Sequence, residues 1–178
     1  TRVAGGLVWL ATLFSLIIII QRSFAVDTAD GALEAQRVAG LDPAGIFVGK
    51  ALAVMVQLVT LEIMLFVAAV VLYRVQLHVD GVVLLVTCVV SATAGLSFVG
   101  TLYGGLTAGS RGRETLLPLL MLPVVAPVLI GATRATESAF MSGGAAVSDG
   151  WPWVGVLVVF AAVFGLGGIL SFGSLIEE

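Results

Sequence analysis

This chain of 178 residues is poor in the side chains that do chemistry: it has 1 cysteine, 1 histidine, 8 basic and 11 acidic residues. A single cysteine, Cys88, in an apolar run excludes a disulfide framework and leaves the redox compartment unread. No C-x-x-C-H occurs, so the chain does not attach haem to itself covalently. His78 stands alone, without a second histidine or cysteine at ligand spacing, and reads as an ordinary interfacial side chain, not a haem or metal ligand. There is no Walker A loop. Between Gly45 and Gly49 stand three residues where four are needed, and Ala51 replaces the magnesium-binding hydroxyl, so this chain does not hydrolyse nucleotide. No Ser/His/Asp set, zinc spacing or carboxylate pair on a soluble loop appears either, which leaves no catalytic residue and no metal site to assign. A net charge of -3, thinly spread, gives no reason to expect a nucleic-acid partner.

What the chain has in abundance is apolar length. It is 60% hydrophobic and 11% charged, with a mean hydropathy of +1.17, so its outside is as apolar as its inside. The expectation is an all-α membrane protein: one domain over 1–178, a helical bundle in contact with lipid, with spans at about 3–20, 51–73, 82–108, 115–133 and 154–175. A signal peptide is the rival reading of the first span, because Ser23-Phe24-Ala25 has the look of a cleavage site. Its apolar run exceeds the usual length, and Gln21-Arg22 separates the run from that site. Trp151 and Trp153 stand where an aromatic belt anchors the last span.

The one charge-rich stretch is 21–50, which holds Arg22, Asp27, Asp30, Glu34, Arg37, Asp42 and Lys50. About 30 residues is a long connection between two spans. Its middle predicts a short helix over about 28–39, capped by Asp27 or Thr28 and ended by Gly40 and Pro43. Asp30, Glu34 and Arg37 share one face, and the opposite face is small alanines. A helix buried among lipid headgroups needs a large apolar face, so this one reads as a peg for another protein. Basic residues in the connections divide five to three in favour of the side carrying the peg, which places the peg and the C-terminus in the cytoplasm. An outside start and an odd span count lead to the expectation of a sixth span before Thr1.

Within the spans, four features stand out. Gln57 and Glu62 are polar residues in the second span. A carboxylate facing lipid costs about 3 kcal/mol, so Glu62 faces protein, faces water or carries a proton. It is either part of a substrate or proton path or a buried contact that fixes helix packing. Gly95, Gly100, Gly104, Gly105 and Gly109 allow close helix approach in the third span. Pro118, Pro123 and Pro127 interrupt the hydrogen bonding of the fourth, the last two in its interior, and predict bending there.

A membrane bundle without catalytic groups but with one cytoplasmic peg fits a permease subunit whose motor is a separate ATPase. The stretch from Arg22 through Phe24, Asp27, Asp30-Gly31 and Leu33-Glu34 resembles the R-x-F-x-x-D-x-x-D-G-x-L-E stretch of the CcmB family, the haem exporter B permease subunit of the cytochrome c maturation ABC transporter. Three further stretches, Gly95 to Gly100, Leu106 to Arg113 and Leu116 to Ile130, are similar to that family's glycine-rich span, basic turn and L-P-L-x-x-P-x-L-I helix. The likeness covers roughly 22–130. It departs at Arg113-Glu114, where the family often has paired glycines, and at Glu62, whose role is not inherited.

The resemblance implies six spans and a bacterial inner-membrane location. It implies that the peg is a coupling helix resting in a cleft of the ATPase subunit CcmA, with Arg22, Asp30, Leu33, Glu34 and Arg37 at the contact. It also implies CcmC, the small subunit CcmD and the periplasmic haem chaperone CcmE as partners, with ATP and magnesium on the ATPase and haem handled by the complex. Two other classes stay open: an ABC exporter permease for a lipid, glycan or drug, and a secondary transporter that uses Glu62 as its proton site.

Overall fold

The computed structural model describes residues 2–29, 31, 35, 38–40, 42–75, 78–108 and 112–177. It is all-helical. Among the described residues five long helices follow one another: α1 (Arg2–Ala29), α2 (Pro43–Tyr73), α3 (Val79–Thr107), α4 (Arg113–Ala139) and α5 (Trp151–Glu177), with short 3₁₀ turns at Ser142–Gly144 and Val147–Gly150 between the last two. No strand occurs among the described residues. All five helices are long and apolar enough to cross a membrane.

Each helix outruns the span expected for it, and in α2 the polar flanks supply good ends. Asp42 is extended, and its Oδ2 accepts the Gly45 N–H at 3.2 Å. Pro43 follows at the first helical position, where its missing N–H costs nothing. So α2 starts at Pro43 instead of 51 and carries Lys50 within it. Arg74 closes α2 in the left-handed conformation at φ 49, its N–H returned to the Val70 carbonyl. Gly112, at φ 84, makes the turn into α4 that a residue with a Cβ makes only under strain.

The largest difference lies after α1. Gln21 through Ala29 continue that helix, so the cap expected at Asp27 or Thr28 is absent and the connection begins later than the sequence suggested. Gly31 at φ 64 and Gly40 at φ 68 then bracket two i to i−4 hydrogen bonds, Ala35 N–H to the Gly31 carbonyl and Ala39 N–H to the Ala35 carbonyl, each 2.9 Å. Asp30, Leu33, Glu34 and Arg37 lie outside the described residues.

α3 is the central helix and packs against all four others. Its Leu84, Cys88, Ala92, Leu96 and Val99 are fully buried, against Trp9, Leu16, Ile20 and Phe24 of α1 and Leu117, Met121 and Val125 of α4 in one continuous core. The outside is apolar too: Leu72, Val79 and Leu170 are largely exposed, as expected of a surface solvated by lipid.

The glycines of α3 do pack, though mostly by admitting side chains. Gly100 receives Leu16 and Ile20, Gly104 receives Ile20 and Phe24, and Gly105 receives Phe172. Of the glycines from Gly95 to Gly105 only Gly95 also comes near a neighbouring backbone, at Ala161, and Gly109 lies outside the described residues. The tightest backbone approach is at Gly81, where a Cβ would stand 2.5 Å from the Ala139 carbonyl oxygen of α4. α4 remains one helix from Arg113 to Ala139 across Pro118, Pro123 and Pro127.

Candidate functional site

Two polar regions break the apolar packing. One is at the charged end, where α1 finishes and α2 begins. Lys50 of α2 donates from Nζ to the Ser23 Oγ of α1 at 3.2 Å, and the same ammonium lies 4.4 Å from the centre of the Phe24 ring. A cation over an aromatic face gains about 0.5–1 kcal/mol at an exposed site. Phe24 is itself buried in the space left by Gly104. A single contact set therefore ties the start of α2 to the end of α1 and, through the glycine, to α3.

Gln21, one turn earlier on α1, donates from Nε2 to the Glu114 carbonyl of α4 at 3.0 Å. Pro118 has no N–H, so that carbonyl lacks its ordinary partner four residues on. The side chain of one helix thus completes the first turn of another.

The second region is a buried polar seam through the centre of the bundle. Thr93 of α3 donates its hydroxyl to Glu62 Oε2 of α2 at 2.6 Å, and both residues are fully buried. Trp9 Nε1 of α1 donates to Thr136 Oγ1 of α4 at 2.9 Å, also buried. Cys88 Sγ reaches the Ala132 carbonyl at 3.7 Å. Below Thr93 on α3, Ser97 and Thr101 continue the seam at four-residue spacing. Glu62 Oε1, Ser97 Oγ and Thr101 Oγ1 find no hydrogen-bond partner among the described residues. In an apolar interior an unpaired polar atom costs free energy, so this seam is where the bundle departs most from simple packing.

The sequence-predicted residues fall into separate places. Glu62 faces protein and bridges α2 to α3. Gln57 is exposed on the outer side of α2 and lines a groove together with Arg22, so the two polar residues of that span do not form one site. Arg22 lies within α1, seven residues before its end. His78 immediately precedes α3, exposed, with no side-chain cap bond. Among the described residues no three of His, Cys, Asp and Glu converge on one point.

Trp9, Thr93 and Thr136 were not singled out from the sequence. Hydroxyls are easily accommodated in membrane helices by bonding to their own backbone, as Thr12 does to the Val8 carbonyl at 3.0 Å. The available signal was the recurrence of Thr93, Ser97 and Thr101 on one helical face.

Comparison with known proteins gives this geometry a setting. Residues 1–166 match the family described as CcmB protein. Heme exporter protein B of Rhodobacter capsulatus is 34% identical over 131 residues, covering 72% of this chain and 58% of that protein. Its namesake in Paracoccus denitrificans is 34% identical over 139 residues, covering 77% and 62%, and that of Escherichia coli K12 is 31% identical over 162 residues, covering 79% and 63%. The chain thus spans about three-fifths of the length of these relatives. No solved structure matches it. With a family match running through four of its five helices and into the fifth, the chain belongs to the CcmB family.

Proposed function

We propose that this chain is the membrane subunit of an ABC exporter that serves haem handling in cytochrome c biogenesis, driven by an ATPase on a separate chain. One observation carries the reading. The stretch that resembles the family's coupling segment lies where a long helix stops, two left-handed glycines bracket two i to i−4 hydrogen bonds, and a capped helix returns. Its flanking helices are tied to one another and to the bundle through Lys50, Ser23, Phe24 and Gln21, so a displacement of the segment can pass into the bundle.

In this reading Asp30, Leu33, Glu34 and Arg37 meet the ATPase subunit CcmA, with Arg22 at the approach on α1. The charged end and the C-terminus face the cytoplasm of the bacterial inner membrane, and CcmC, CcmD and CcmE are the other partners. Hydrolysis of ATP, with magnesium, takes place on CcmA.

A proton-coupled secondary transporter is the contrasting reading, and Glu62 Oε1, without a hydrogen-bond partner among the described residues, is what favours it. The bond from Thr93 to Glu62 across two helices supports the packing role instead. Complementation of cytochrome c maturation in a deletion strain separates them. Asp30→Ala/Glu34→Ala abolishes maturation and Glu62→Gln retains it if the ATPase reading is right; the reverse pattern supports the proton carrier.

A further inference from the structure

Arg22 and Gln57 are the two exposed polar side chains of one groove, of roughly 540 Å³, on the outer face of the α1 and α2 pair. Neither has a hydrogen bond or ion pair among the described residues. Ile18, Ile19, Ser23 and Val26 complete the lining, so among the described residues the groove contains a guanidinium, a hydroxyl and an amide over apolar walls, and no carboxylate. Ser23 accepts from Lys50, which leaves its own hydroxyl hydrogen for another acceptor.

The levels of these groups follow from the helices. The Lys50 to Ser23 bond sets one level across the antiparallel pair. Gln57 lies seven residues beyond Lys50, about 10 Å along α2 at 1.5 Å per residue. It is therefore inside the apolar span, beside Ile18 and Ile19, while Arg22 and Ser23 stand close to the end of the α1 span at Val26. An exposed amide at that depth asks for a partner that hydrocarbon does not supply.

We infer that the groove binds an anionic phospholipid, its phosphate held by Arg22 and Ser23, an ester carbonyl by the Gln57 amide, and an acyl chain along Ile18 and Ile19. A basic pocket between membrane helices at the bilayer edge attracts anionic headgroups, and guanidinium meets phosphate with paired hydrogen bonds. The depth of Gln57 and the apolar walls select a lipid over a dissolved anion, which needs neither.

The test uses the full-length protein, delipidated in a neutral detergent, with lipid retention followed by native mass spectrometry and thermal unfolding. Three probes are compared: a phosphatidylglycerol, a phosphatidylcholine with the same chains, and inorganic phosphate. Phosphatidylglycerol is retained and raises the unfolding temperature, while the other two do so weakly or not at all. Arg22→Gln weakens phosphatidylglycerol binding about tenfold and Gln57→Leu about threefold. Arg22→Lys keeps most of it, and Arg134→Gln, outside the groove, leaves it unchanged. Equal retention of the two lipids, protection by phosphate alone, or undiminished binding in Arg22→Gln overturns the assignment. Should Arg22→Gln fail to fold, Gln57→Leu decides: reduced preference for phosphatidylglycerol supports the site, and unaltered preference overturns it.

Discussion

Gln21 of α1 donates its side-chain amide to the carbonyl of Glu114 on α4, at 3.0 Å, and this carbonyl is the one that Pro118 deprives of an intrahelical donor. The proline therefore creates a docking point for a second helix. Replacing Gln21 with Leu removes the donor and lowers unfolding stability by about 0.5–1.5 kcal/mol. In a Pro118→Ala background the new Ala N–H can take the same carbonyl, so the Gln21→Leu cost falls to less than half. Chemical denaturation of the four proteins in one detergent measures the coupling; equal costs in both backgrounds contradict it.

A second double-mutant cycle addresses the interior. Glu62→Gln preserves an acceptor for the Thr93 hydroxyl and is mild, whereas Glu62→Ala removes a buried side chain and leaves Thr93 unpaired, costing about 2–4 kcal/mol. The coupling between Glu62→Ala and Thr93→Val is about 0.5–1.5 kcal/mol, the range found for hydrogen bonds inside membrane proteins. If Glu62 is a packing residue, transport activity across the set follows stability. Activity lost in Glu62→Gln at unaltered stability contradicts that role.

Gly104 and Phe24 form a third pair. A Cβ on Gly104 would stand 2.5 Å from a Phe24 ring carbon, so Gly104→Ala forces the ring, and with it the Lys50 contact, to move. The expected cost is about 1–3 kcal/mol, as for other overpacked cores. Phe24→Leu in the same chain relieves part of it. A Gly104→Ala protein as stable as wild type shows that the ring is not held there.

The fold was legible because its governing signal is coarse: 18 or more apolar residues in a row mark a membrane helix whatever lies beside it. The ends of the helices were not. Gln21, Arg22 and Ser23 look like the start of a loop by polarity, yet they remain helical because each has somewhere to go: Gln21 to the Glu114 carbonyl, Ser23 to Lys50, and Arg22 outward into the groove. Those partners are 93 and 27 residues away and leave no local trace. The glycine run of α3 is conspicuous in the sequence, but the sequence could not say that rings and isoleucines would enter it in place of neighbouring backbones. Glu62 was conspicuous as a lone acid; Thr93, its partner, looked like any other hydroxyl in a membrane helix.

In the proposed function the segment between α1 and α2 couples this bundle to an ATPase on another chain. Affinity purification of the full-length protein in mild detergent, with mass spectrometry and an ATPase assay of the product, tests it most directly, wild type against Asp30→Ala/Glu34→Ala. An ATPase is expected to accompany the wild-type protein, and the double variant to lose either the subunit or its activity while retaining the wild-type unfolding transition. Recovery of no ATPase with the wild-type protein, under conditions that keep known complexes of this kind intact, contradicts it.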